Sequence, residues 1–227
     1  MGSKRISEVG IMLQARLNSQ RIPQKMIKDF AGTSLLDILL EKLVTSEVIP
    51  TENIFLSAYE PEIKAKADKW GVEIFHRSEA SANEEKSLQT ICEWHDKMPY
   101  KYTVSFSGTQ PLLKQSTMEK FYTEFMNSDK EGLYGVYEKK THYWDKEGNK
   151  IESMSENQRA FNTKFIDPVY EAGHCMAATR TDIIKDGFYI SRDFPKKANL
   201  FIMDEIEAWD IDEQWQFDVA EKLYQTL

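Results

Sequence analysis

Three cations, Arg16, Arg21 and Lys25, follow the apolar run Gly10-Ile11-Met12-Leu13. The run is of the kind that forms a buried parallel strand, and Asn18, Ser19 and Pro23 are turn formers in the loop behind it. Arginine offers phosphate oxygens a flat fork of N–H donors, and lysine offers a point charge. Backbone N–H groups of a tight loop can add to such a cradle. The pattern therefore reads as a polyphosphate site at the end of a strand, or equally as a solvated basic loop. A second group with chemical potential lies near the other end, at Asp210-Ile211-Asp212. In an extended segment the two carboxylates project to one side. Such a pair suits Mg²⁺, a hard cation that takes one or two carboxylates plus phosphate oxygens and water. The alternative is a pair of surface aspartates, with Asp212 capping the helix that follows.

The elements that must position these groups alternate along the chain. Hydrophobic periodicity predicts a strand over Val9–Leu13, a helix over Ser34–Thr45 with Ser34 as N-cap, and a strand over Asn53–Ser57. It then predicts a helix from Pro61 to Trp70 ended by Gly71, a strand over Val72–Phe75, and a helix over Glu84–Asp96. A strand over Tyr102–Phe106, a helix over Gln115–Asn127, a strand over Leu133–Tyr137 and a last helix over Glu213–Tyr224 complete the series. Strand–helix alternation implies a mostly parallel sheet covered by helices, and the run Asp145-Lys146-Glu147-Gly148-Asn149 is a hairpin cue. With 227 residues, 41% of them hydrophobic, the chain reads as one α/β domain over 1–227. A net charge of −8 argues against a nucleic-acid partner, which requires a broad basic footprint. Cys92 and Cys175 form neither a metal-spaced pair nor a disulfide framework. With no long apolar run and no signal-peptide pattern, the expectation is a cytoplasmic protein with no membrane partner.

The string Ala-Arg-x-x-Ser-x-Arg-x-Pro-x-Lys, here Ala15 to Lys25, resembles the nucleotide-binding signature of cytidylyltransferases that make CMP-activated acidic sugars. These include the acylneuraminate and 3-deoxy-manno-octulosonate enzymes. The segment Ala31-Gly32-Thr33-Ser34-Leu35-Leu36 resembles that family's Gly-x-x-Leu-Leu motif, although Met26 stands where the family often has Asn. His76-Arg77-Ser78-Glu79-Ala80 resembles its Arg-Pro-x-x-Leu-Ala segment, with Ser78 in place of Pro, and Asp210-Ile211-Asp212 resembles its C-terminal metal motif. The loop Ser107-Gly108-Thr109-Gln110-Pro111-Leu112 departs from the family: Thr109 stands where one branch has a metal-binding Asp, and Ser107 where another has Gln. Val169 to Ala178 resembles the family's Asn-Gly-x-x-Tyr strand, with His174, Cys175 and Met176 at the changed positions.

The resemblance implies a three-layer α/β/α, Rossmann-like nucleotide-diphospho-sugar transferase fold, with residues 139–168 as a small hairpin insertion for sugar binding and dimerisation. It implies that Ala15, Arg16, Ser19, Arg21, Lys25, Arg77, Ser107 and Thr109 bind CTP, with Lys25 and Arg16 catalytic. Asp210 and Asp212 would hold Mg²⁺. Gln110, Arg159 and His174 would meet an acidic sugar such as a sialic acid, with Lys139, Lys140 and Lys164 also near its carboxylate. The exposed-looking Tyr143, Trp144 and Phe161 fit an interface or sugar platform. The implied reaction is transfer of CMP from CTP to the sugar with release of pyrophosphate, by a homodimer. Another acceptor, such as an alditol phosphate or phosphonate, or a non-catalytic nucleotide-binding homologue, remains open at this stage.

Overall fold

Val9, Ile11 and Leu13 point into a fully buried layer, and this run forms the central strand β1, Val9–Gln14. The computed structural model describes residues 3–151, 162–186 and 199–226. Strand β1 pairs in parallel with β2, Ile54–Ala58, on one side and with β4, Tyr102–Phe106, on the other, so that Ile11 lies between Ile54 and Val104. Outside β2 lies β3, Glu73–His76, also parallel. Beyond β4 come β6, Val169–Arg180, antiparallel to both neighbours, then β5, Gly132–Lys139, and finally β7, Leu200–Met203, parallel to β5. The seven-stranded order is β7-β5-β6-β4-β1-β2-β3. The chain runs outward from β1 through β2 to β3, then jumps back to β4 on the other side of β1. That reversal opens a crevice at the carboxyl ends of β1 and β4, the usual ligand position in such sheets.

Four longer helices cover the sheet: α1, Leu35–Val44; α2, Pro61–Trp70; α3, Gln115–Met126; and α4, Gln214–Tyr224. Helix α1 starts where predicted, because the Ser34 hydroxyl accepts the N–H of Asp37. It buries Leu36, Leu40 and Leu43 against the sheet, each worth about 2 kcal/mol of removal from water. Helix α2 has Pro61 at its first turn and ends at Gly71, whose φ of 67° is the left-handed cap that glycine adopts without steric cost. None of the helices among the described residues is long and apolar enough to cross a membrane.

Two expectations about local structure are corrected. Within the helix predicted over Glu84–Asp96 only Leu88–Ile91 is α-helical, and a separate short helix that was not predicted, Glu79–Asn83, precedes it. Ser78 caps the first and Ser87 the second, while the Glu84 carboxylate accepts the backbone N–H groups of Glu85, Lys86 and Ser87. Side-chain acceptors thus take the donors that a continuous helix would use. Asp212 does not cap α4. Glu213 is the N-cap, in a capping box with Gln216. The hairpin cue at 145–149 is realised by two-residue strands at Tyr143–Trp144 and Lys150–Ile151. Arg159 and Phe161 lie outside the described residues.

Candidate active site

The basic loop is fixed by its apolar residues. Ile22 is fully buried and Met26 nearly so, and they anchor the loop on either side of Lys25. Between them Gln24 takes a φ of 56°, a left-handed conformation unusual for a residue with a side chain. Its carbonyl then accepts the N–H groups of Ile27 and Lys28, and Leu36 donates its N–H to Met26 O at 3.0 Å, tying the loop to the start of α1. From the β2 side, Glu60 Oε1 accepts the N–H of Leu17 at 2.9 Å. These contacts hold the loop at the β1–β4 switch point.

A cleft of about 540 Å³ opens there, lined by Gln14, Ala15, Arg16, Ser19, Gln20, Arg21, Lys25, Met26, Arg77, Glu84, Glu85, Ile91, Thr109 and Asp212. The Lys25 side chain is 12% exposed; its ammonium donates to Ile211 O and lies 3.7 Å from the Asp212 carboxylate. Burial lowers its pKa, an effect opposed by Asp210 and Asp212. Arg21 donates to Asp212 at 2.7 Å and to Glu213 at 3.3 Å. Arg16 reaches the carbonyls of Ala82 and Glu84 and the carboxylate of Glu85. Arg77, 6% exposed, donates to Ser81 Oγ and Ser81 O, and burial lowers its pKa.

The two aspartates reach the cleft because the loop after β4 holds the segment that carries them. Ile211 donates its N–H to Thr109 O at 3.0 Å, and Ser107 donates to Cys175 O on β6 at 2.9 Å. Nearby, the Glu207 carboxylate accepts the N–H of Lys114 at 3.0 Å. Asp210 is half-buried, and its Oδ1 is buried with no hydrogen-bond partner. Burial raises its pKa, while the Thr109 hydroxyl, Lys25 and His174 favour the ionised form. An orphaned carboxylate oxygen beside the half-buried Asp212, which now pairs with Arg21 and Lys25, is a donor set that suits a hard divalent cation. Two carboxylates without a third are sufficient when phosphate oxygens complete the shell.

The structure therefore brings Ala15, Arg16, Ser19, Arg21, Lys25, Arg77, Thr109 and Asp212 to one cleft, with Asp210 adjoining. Ser107 is not a cleft residue; its Oγ lies 3.0 Å from Thr109 Oγ1 and it lines an internal space behind the loop. Gln110, 3% exposed, lines the same internal space. His174 is exposed at a bulge of β6 with a φ of 52°, close enough to Asp210 to act on its charge. Its neighbour Cys175 is buried, donates to Met203 Sδ, and has its thiol pushed up to about 12 by burial. Sequence reasoning missed Gln14, Gln20, Glu84 and Glu85. The acidic pair was hidden inside the predicted helix. Gln14, whose amide donates to Ile91 O at 2.9 Å, is the first polar residue after the β1 run and was the available signal.

Residues 10–226 match the family model described as cytidylyltransferase. The chain belongs to the cytidylyltransferase family. This cytidylyltransferase is 24% identical over 225 residues to the pseudaminic acid cytidylyltransferase of a Campylobacter jejuni strain, covering 94% of each chain. It is 23% identical to the post-translational flagellin modification protein B of Campylobacter coli, covering 96% of this chain and 95% of that one. Among solved structures it resembles CMP:2-keto-3-deoxy-manno-octonic acid synthetase complexed with CTP. The TM-score is 0.68 at 12% identity, covering 97% of this chain and 100% of the other. A cytidylyltransferase from Leptospira borgpetersenii gives a TM-score of 0.63 at 18% identity, covering 97% and 87%. The last two establish the α/β nucleotidyltransferase fold.

Proposed function

We propose that this cytidylyltransferase transfers CMP from CTP to a hydroxyl of an acidic sugar of the nonulosonic class, in a Mg²⁺-dependent reaction that releases pyrophosphate. The observation that carries this reading is the meeting of Arg16, Arg21 and Lys25 with the Asp210–Asp212 pair at the switch point of the sheet. The near-full-length similarity to a pseudaminic acid enzyme supports the acceptor class.

In this reading Arg16, Arg21 and Ser19 bind the triphosphate, and Lys25 lies against the pyrophosphate as negative charge grows on it. The acceptor hydroxyl attacks the α-phosphorus in line, and the bond to the bridging oxygen of the β-phosphate breaks. The products are the CMP-sugar, pyrophosphate and the hydroxyl proton. Asp210 and Asp212 would hold the Mg²⁺, which when bound supplies Lewis-acid neutralisation of phosphate charge. Arg21 now pairs with Asp212 and would exchange that carboxylate for phosphate oxygens. His174, exposed near Asp210, faces the acceptor side in this scheme. The exposed Trp144 and Ile151 of the insertion hairpin, with Leu200 and Ile202 on edge strand β7, support pairing of two copies.

The test is pyrophosphate release with CTP, Mg²⁺ and a panel of nonulosonic acids, octulosonic acids, alditol phosphates and phosphonates, with UTP, ATP and GTP as controls. Mass spectrometry of the product identifies the sugar. CTP-dependent release with a nonulosonic acid is the expected result. Turnover only with an alditol phosphate or phosphonate would overturn the acceptor, and equal use of UTP would overturn the donor.

A further inference from the structure

The carboxylate of Glu85 sits in the cleft among donors of the basic loop. Arg16 reaches across the cleft to the end of the first short helix and the segment after it, donating to Ala82 O at 3.5 Å, Glu84 O at 3.2 Å and Glu85 Oε1 at 3.2 Å. The Gln20 amide, from the same basic loop, donates to both oxygens of Glu85, at 3.2 and 3.4 Å. Glu85 thus takes one arm of the Arg16 guanidinium, through Nη2, together with the Gln20 amide, while Nη1 is held by the two backbone carbonyls; these are donors that phosphate oxygens would take. The loop presenting it is preorganised, because the Glu84 carboxylate accepts three successive backbone N–H groups.

We propose that Glu85 is a built-in competitor for the nucleotide's phosphates at Arg16, and that its displacement sets the affinity of the cleft for the triphosphate. The proposal rests on the reading of CTP as donor. The pair is built to open. The side chains of Arg16 and Glu85 are 34% and 46% exposed, so their attraction is weakened by water and salt. A triphosphate brings several charges to the same donors and wins the exchange, and the exposed Glu85 side chain rotates off Arg16 while the Glu84-capped loop keeps its place. The carboxylate keeps Arg16 extended and paired until then.

The experiment is calorimetric titration of the full chain and of Glu85→Gln with tripolyphosphate, CTP, UTP and cytidine, in metal-free buffer at low salt. Glu85→Gln is isosteric and exposed, and leaves the fold intact. An exposed pair of this kind is worth a factor of about two to five in affinity. The expected result is tightening of that size for tripolyphosphate and CTP, with cytidine unchanged. Glu79→Gln removes the same charge from the exposed face of the adjoining short helix and gives a smaller gain. Equal gains from Glu79→Gln and Glu85→Gln would reduce the effect to general charge and overturn the proposal. So would an unchanged tripolyphosphate affinity in Glu85→Gln. The tripolyphosphate arm is independent of the base, whereas a wild-type chain that binds UTP as tightly as CTP would overturn the donor reading and leave the Glu85 result standing.

Discussion

Replacing Asp210 with asparagine separates what this residue does for the reaction from what it does to the fold. Asp210 Oδ1 is buried without a partner, and burial raises the carboxyl pKa. A buried, unsatisfied polar atom costs about 1–3 kcal/mol. Asparagine keeps the shape and an oxygen for the Thr109 hydroxyl but removes the desolvated charge. Part of the gain is returned, because Lys25 loses the attraction of Asp210. Lys25 keeps Ile211 O and the Asp212 carboxylate at 3.7 Å, so the balance favours the variant by about 1 kcal/mol. For a chain of this length that is an increase in Tm of about 2–4 °C. The pH dependence has a definite sign. A carboxyl whose folded pKa lies above its unfolded value of 3.8 binds its proton more tightly in the native state. The native state is therefore penalised as pH rises through that window, and the advantage of Asp210→Asn is present at neutral pH and vanishes as pH falls to the unfolded value. In the same variant nucleotidyl transfer falls at least about 100-fold, since a carboxylate for the metal is lost. Thermal denaturation at pH 7 and pH 4, with pyrophosphate release alongside, reads both effects. A variant less stable than the parent at pH 7, or one with full activity, would refute the reasoning.

Two further predictions concern the scaffold. The Asp37 side chain, 4% exposed, accepts from Lys66, Ser34, Trp70 and Lys69, joining α1 to α2. Burial opposes its ionisation, but these donors outweigh it and hold the carboxyl well below the usual range. Its stabilisation is present above the unfolded pKa of 3.8 and is lost as pH falls below it. Asp37→Asn costs about 2–3 kcal/mol in urea denaturation at pH 7, with a smaller difference at pH 3, and an unchanged midpoint at pH 7 would count against the network. Gly10→Ala places a Cβ 2.5 Å from Cδ2 and 2.8 Å from Cγ of the Tyr100 ring, costing about 1–3 kcal/mol. Gly108→Ala crowds the flexible Cε of Met26 at 2.6 Å, with Leu39 Cδ2 at an ordinary 3.4 Å, and costs less, so the reverse order of urea midpoints would be inconsistent with this packing.

Sequence alone determined five of the sheet-forming runs and the two ends of the site, but not the edge strand β7, Leu200–Met203. Residues near β1 act locally: a buried strand, turn formers and closely spaced cations make the loop from neighbouring positions, and Ser34 caps α1 with its own helix. Asp210 and Asp212 were legible for the same reason, as two carboxylates with one residue between them. Which residues surround them was decided by tertiary structure. Ile211 hangs from Thr109 O, and Lys25 reaches Ile211 O across 186 positions of chain. Spacing in the sequence does not encode such contacts. The short helices at 79–91 escaped prediction because Glu84 captures three backbone donors that helical periodicity assigns to the chain itself. Gln110 and Ser107, plausible cleft residues from their loop, lie behind it because their neighbours turn that loop inward between α1 and β6. Local pattern fixes which groups exist and which strand they leave. Only the packing of β4, β6 and the C-terminal segment decides which of them meet.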